Sequence, residues 1–206
     1  MRKVLLIPCT FLLSACANTG GDLVQPDQAS ISPGRAVIAF SAEIADGTDY
    51  EQCSIFLGRS PSTAKWFAWN IAEGPTALFA LEVDALKYGF HRFGCVYSGL
   101  SLSTSIPGPE LQLNADAITY LGRLMVKETE LGTAAGYSRM PTAVKLQFED
   151  HSDADLESLR SRLALFAGAE IGINILRSWS TSEMIAFRPY RHGPQVIVSP
   201  ALPHRQ

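Results

Sequence analysis

Between Arg35 and Glu149 the apolar residues of this chain recur at every second position, in short runs closed by Gly, Pro, Asp or Asn. Alternate residues of a strand leave on opposite faces, so this period describes strands that each bury at least one face. The first run, Arg35 to Ile44, sets Ala36, Ile38, Phe40 and Ala42 against Val37, Ala39 and Ser41, and Asp46-Gly47 turns it. Cys53 to Leu57, Lys65 to Ile71 and Ala77 to Val83 follow, divided by Gly58-Arg59-Ser60-Pro61 and Glu73-Gly74-Pro75. Tyr88 to Tyr97, Ser101 to Ile106, Ala117 to Val126 and Thr142 to Glu149 continue the series. Short strands at this spacing, with turn residues between them, predict a mainly β fold built as an antiparallel β-sandwich.

The pattern changes once. From about Asp153 to Ala167 the apolar residues Leu156, Leu159, Leu163 and Phe166 fall at helical spacing, while Glu157, Arg160, Ser161 and Arg162 take the other face. Ser152 is placed to cap the first turn, Asp153 and Asp155 put negative charge at its positive end, and Gly168 can close it. This predicts one amphipathic helix from the C-terminal half, packed on the sandwich. Ile171 to Trp179, Glu183 to Phe187 and Gln195 to Ser199 are further strand candidates.

The beginning of the chain has a different character. Arg2 and Lys3 precede an apolar run from Val4 to Leu13, which ends in Leu13-Ser14-Ala15-Cys16. The run falls short of the about 20 residues that cross a bilayer, and Pro8 interrupts it. It has the form of a secretory leader, and Ser14-Ala15-Cys16-Ala17 also fits the small-residue cleavage region of an ordinary one. The tetrad resembles the lipobox of bacterial lipoproteins, in which the thiol is joined to diacylglycerol, the peptide is cut before the cysteine and the new amino group is acylated. The resemblance implies a leader over 1–15 and lipidation at Cys16. With Ala17 rather than Asp in the next position, it implies the outer membrane, on its periplasmic face. Gly, Asn, Asp, Gln, Ser and Pro then predict a flexible tether over 16–33, one domain over 34–199 and a frayed terminus over 200–206.

Charge and cysteine content narrow the chemistry. A hydrophobic fraction of 47% against 18% charged residues is that of a folded protein. Asp and Glu number 20 against 17 Lys and Arg, and a leader would remove Arg2 and Lys3. Such an acidic balance argues against nucleic acid as a partner and against a polybasic grip on anionic lipid. Cys9 would leave with the leader and Cys16 would carry lipid, so Cys53 and Cys95 remain as a pair outside the cytoplasm, where thiols are oxidised. A disulfide between them is expected.

No residue pattern announces a reaction. There is no Gly-x-Ser-x-Gly, and His91, His192 and His204 lack the spacing of a metal site. Asp150-His151-Ser152-Asp153 places triad residue types side by side, but neighbours rarely aim at one point and this stretch already joins a strand to a helix. No catalytic residue, metal or cofactor is expected. For recognition the candidate is Trp66-Phe67-Ala68-Trp69: in a strand Phe67 and Trp69 share one face and Trp66 takes the other. An outward Trp66 near Tyr88 or Tyr97 is suited to stack on a sugar ring or to anchor a protein. Arg188-Pro189-Tyr190-Arg191-His192 is a small basic cluster of loop character.

Three stretches together resemble bacterial lipoproteins carrying a transthyretin-like or carboxypeptidase-regulatory-like β-sandwich of no assigned activity. They are the opening strand led by Gly34, the Tyr120-Leu121-Gly122 motif read as a hairpin, and Val144 to Asp150 running into an acid-capped helix. The resemblance covers roughly Gly34 to Phe166 and implies a binding or structural module, with envelope protein or glycan as partner. The alternative is an envelope hydrolase whose site is assembled from distant residues.

Overall fold

A run of seven apolar or small residues, Ala36 to Ala42, makes β2 (Arg35–Ile44) the centre of the molecule, because all seven are buried whichever face they take. The computed structural model of the chain describes residues 22–45, 50–70, 74, 76–97, 100–103, 107–134, 137–176 and 186–189, with backbone alone at 100, 129–134, 137–143 and 186–189. The leader, Cys16, the turn at Asp46-Gly47, the strand expected at Gln195 to Ser199 and the C-terminus lie outside the described residues.

Two sheets pack face to face. The first runs in the order β1 (Asp22–Leu23), β5 (Thr76–Asp84), β2, β9 (Ile118–Ala134) and β10 (Tyr137–Glu149), with β11 (Ile171–Ile173) beside β9. The second runs β12 (Ala186–Pro189), β7 (Leu100–Ser103), β6 (Lys87–Tyr97), β3 (Tyr50–Gly58) and β4 (Lys65–Asn70), with β8 (Glu110–Gln112) beside β6. Between them lie Ile38, Phe40, Phe79, Phe90, Phe93 and Leu124, all buried. The rings of Phe40 and Phe79 stack at 4.8 Å, and Phe90 meets Phe40 edge-on at 5.6 Å, the offsets aromatic quadrupoles favour.

The expected strands within the described residues have counterparts, but β9 runs eight residues past the expected Val126, β10 starts at Tyr137 rather than Thr142, and of the candidate Ile171 to Trp179 only Ile171–Ile173 is strand among the described residues. The sandwich is mostly antiparallel. Two pairings depart from that: β9 runs parallel to both β2 and β11. A parallel neighbour needs a long crossover, and here the chain passes through most of the second sheet between β2 and β9. The Tyr120-Leu121-Gly122 motif is not a hairpin. It lies inside β9, where the register with β2 jumps from Ala39 opposite Tyr120 to Ser41 opposite Arg123. Gly122 occupies this bulge at φ 104°, and a Cβ there would stand 3.0 Å from the Glu149 carbonyl oxygen, so only glycine fits.

The helix is shorter than its apolar stripe. α1 spans Ser152–Arg162, its N-cap position is His151 with no side-chain cap, and the amide of Ser152 donates instead to Asp150 Oδ1 at 3.0 Å. Leu163 is extended, and a 3-10 turn covers Ala164–Phe166. The Ala164 amide, which a longer helix would use internally, donates to the Pro26 carbonyl at 3.0 Å. Leu156, Leu159, Leu163 and Phe166 are all buried against Val37, Ala39, Ala80, Ile118 and Tyr120 on the outer face of the first sheet. That face is covered.

Pro26 belongs to the stretch read as a tether over 16–33, and from Asp22 onward that reading is corrected. Asp22 and Leu23 pair with Glu82 and Leu81 of β5, and Val24 is buried. Glu82 holds the rest: the Ser32 amide donates to its Oε1 at 2.8 Å and Gln28 Nε2 to its Oε2 at 2.5 Å. Burial pushes this carboxyl up, but the hydrogen bonds from Ser32 and Gln28, with Arg35 beside it, outweigh burial and hold it below the usual carboxylate range. A depressed folded value means the docking is supported above the unfolded value of about 4.3 and is lost as pH falls through the folded one. Amide exchange over 22–33 should therefore quicken, relative to the core, on acidification below about pH 4, and Glu82→Gln should abolish the change. Exchange that keeps the same ratio to the core from neutral to acid would reject this clasp.

Cys53 and Cys95 form a disulfide, as expected. They are direct partners in the β3–β6 register, with Cα atoms 4.0 Å apart and both side chains buried.

Candidate functional site

Since α1 covers the first sheet, the outer face of the second sheet is the broad strand surface on which no helix lies among the described residues. Pairing sets its residues in rows. Gln52 of β3 lies between Asn70 of β4 and Val96 of β6, and Val96 pairs on to Ser101 of β7. Ser54 lies between Ala68 and Gly94, and Gly94 pairs on to Ser103. Phe56 lies between Trp66 and Arg92. The inward residues between them, Cys53, Ile55, Phe67, Trp69, Phe93 and Cys95, are core.

Gly94 puts a dip at the centre of this array. A Cβ there would meet the Leu102 carbonyl oxygen at 3.0 Å and Ser54 Oγ at 3.6 Å. The dip is a shallow open groove of about 130 Å³ lined by Gln52, Ser54, Phe56, Trp66, Arg92, Val96, Ser101 and Ser103. Phe56 and Trp66 form its aromatic wall, with ring centroids 6.2 Å apart at 31°. The Arg92 guanidinium lies 5.4 Å from the Phe56 centroid, a cation–π contact, and its Nη2 donates to Ser103 Oγ at 2.6 Å. Among the described residues no carboxylate forms an ion pair with Arg92. The face therefore offers ring surfaces, hydroxyls, one amide and one fixed positive charge in a single half-open groove.

Of the residues read from sequence as a binding surface, only Trp66 belongs here. It points outward, as the alternation of Trp66 and Phe67 requires. Tyr88 is 2% exposed, with its ring in the core, and burial together with the Asp84 carboxylate pushes its phenol up. Tyr97 faces inward and meets Tyr50 edge-on at 6.3 Å. The reason for the correction lies in β6, where a bulge against Phe56 and Leu57 changes which residues share a face. Phe56 and Arg92, which the sequence reading did not select, are the actual neighbours of Trp66. The polar-aromatic alternation of Gln52, Ser54 and Phe56 was visible; the register that brings Arg92 beside them was not.

A second polar cluster lies under the helix. Asp155 is 2% exposed and accepts hydrogen bonds from Ser41 Oγ, from Tyr120 Oη at 2.6 Å and from Arg123, whose Nη1 also pairs with Glu43 at 2.6 Å. Burial first, then Asp155, pushes the Tyr120 phenol far up. Burial works against the Arg123 charge, yet Asp155 and Glu43 outweigh it and hold the guanidinium above its ordinary value. These bonds run from one residue of α1 to three residues of the first sheet, so this cluster fastens α1 to the sheet. His91 Nε2 lies 2.9 Å from the Gly58 carbonyl oxygen, and His151 lies 3.6 Å from Glu149 at the strand-to-helix turn. Among the described residues no group of His, Cys, Asp and Glu is placed to hold a metal ion. Arg188 and Pro189 end β12, where only backbone is described, and the rest of that basic cluster lies outside the described residues.

No family model, curated protein or solved structure matches this chain.

Proposed function

We propose that this chain is a lipid-anchored bacterial envelope protein, acylated at Cys16, whose sandwich serves as a non-catalytic binding module on the periplasmic face of the outer membrane. The observation that carries the binding role is the groove of Phe56, Trp66 and Arg92 on the outer face of the second sheet. A saccharide suits it: the C–H face of a sugar ring packs on an aromatic side chain while its hydroxyls meet serine and amide groups. The guanidinium adds a preference for a sugar bearing a carboxylate. The envelope address rests on the basic start, the apolar run and the Leu13 to Cys16 tetrad. The resemblance to lipoproteins with transthyretin-like sandwiches supports the same reading.

Soluble fragments of peptidoglycan, which carry acidic sugars, are the first probe. Their binding, followed by nuclear magnetic resonance, should shift groove resonances, and Trp66→Ala and Arg92→Ala should each weaken it about tenfold. Far-ultraviolet circular dichroism should stay unchanged in both variants. Equal affinity in the wild type and both variants would move the site elsewhere, and a photocrosslink from Gln52 to protein alone would replace the glycan by a protein partner.

A further inference from the structure

The docking of residues 22–33 shortens the leash between lipid and domain, and the short leash has a direction. Asp22 lies opposite Glu82, near the end of β5. At that same end lie the start of β2 at Arg35, the start of β4 at Lys65, the start of β6 at Lys87 and the turn bearing Leu86. Asp22 is tied there by Lys65 at 3.3 Å and by Arg35 at 3.5 Å. Leu86, 41% exposed, is one of two large exposed hydrophobic residues among those described, and its turn is pinned by the Leu113 amide donating to its carbonyl oxygen at 3.2 Å.

We infer that lipid at Cys16 holds this end of the sandwich against the bilayer, with the Leu86 turn facing lipid and the β9–β10 ribbon pointing away; the inference rests on the anchoring proposed above. Lengths decide it. From Cys16 to Asp22 the chain reaches at most about 20 Å, at ~3.3–3.6 Å per residue. The opposite end, back along β5 to Thr76 and out along β9 from Val126 to Ala134, stands about 45 Å from Asp22 at ~3.3 Å per residue. Among the described residues β2 pairs with β9 as far as Val126, and beyond it β9 continues to Ala134 paired with β10. An inverted domain would have to lift Asp22 farther from the membrane than its leash allows. A tether free over all of 16–33 would span about 60 Å and permit either orientation. Much of the charge at this end is balanced within the domain, because Arg35 and Lys65 are paired with Asp22, and Lys87 with Glu110 at 2.5 Å, which leaves Arg59 of the β3–β4 turn as a further cation facing the same way. The groove face then stands beside the membrane, open to the periplasm.

The test uses the full chain in a bacterial envelope, with a photoactivatable residue at Leu86 or at Thr133 near the ribbon tip, and alkynyl fatty acid to report acylation in the same samples. Phospholipid adducts at position 86 should exceed those at 133 by about tenfold or more, given the leash. Inserting about 20 Gly and Ser residues between Ala17 and Asn18 should bring the ratio near one. Equal or reversed adducts in acylated protein with its natural leash would overturn the inference and leave the anchor standing. Absence of fatty acid label that depends on Cys16 would overturn the anchor and the inference together.

Discussion

Asp155→Ala should destabilise the domain by about 3 to 5 kcal/mol, the cost typical of removing one partner from a buried ion pair. The loss comes from what remains: Arg123 keeps a charge that lies largely out of water, and the hydroxyls of Ser41 and Tyr120 lose their shared acceptor. Glu43, on the outer side of Arg123, offsets part of this. Asp155→Asn should cost less, since its amide oxygen still accepts hydrogen bonds. Leu159→Ala, which removes apolar contact from the same helix, should cost about 2 to 5 kcal/mol, while Arg162→Ala should stay within about 0.5 kcal/mol. Urea unfolding of the form lacking lipid measures all four. A midpoint for Asp155→Ala equal to that of wild type would mean that α1 does not depend on this carboxylate, and unshifted Leu159→Ala would reject the packed helix altogether.

Loss of the disulfide is the second large effect. Cys53 and Cys95 are 42 residues apart in sequence, and closing such a loop restrains the unfolded chain by about 4 kcal/mol on the entropy model. The double variant Cys53→Ala with Cys95→Ala should therefore unfold at a urea concentration about 2 M lower, for a slope of ~2 kcal/mol per M. The native fold should survive, because β3 and β6 are already paired along their length and the two positions are small. Free thiols at both positions in protein recovered from the periplasm, or a double variant with an unchanged midpoint, would count against the bridge. The effect bears on the groove too, since Gln52, Ser54 and Gly94 flank the bridge in sequence and a loosened pairing would spread the array that places Arg92 beside Phe56.

The two clusters differ in how visible they were. Asp155 was read as a charge favourable at a helix start, because the first turn of any amphipathic helix attracts acids. Helical spacing does separate it from Asp153, which is exposed: Asp155 stands four residues before Leu159, at the edge of the apolar stripe. What no local pattern shows is its set of partners, Ser41, Tyr120 and Arg123, which arrive beneath it from two strands. The same holds for the segment ahead of Ser32, whose polar residues read as tether until Glu82, some 50 positions later, supplies the acceptor that docks them.

What the sequence by itself determined is what depends on neighbours along the chain. Period two set the strands, including the limits of β2 at Arg35 and Ile44; period 3.6 set the apolar stripe of the helix; and the alternation of Trp66 with Phe67 set the outward face of Trp66. The mainly β class followed, because such strands can bury their faces only against another layer. The tertiary structure decided the rest. Register across strands made Arg92, not Tyr88 or Tyr97, the companion of Phe56 and Trp66, and a one-residue bulge was enough to change that choice. It also turned Gly122 from a hairpin residue into a bulge and ended α1 at Arg162, with the Ala164 amide captured by the Pro26 carbonyl. Each of these joins residues far apart in sequence, and the free energy that selects them comes from contacts formed only when the sheets have closed.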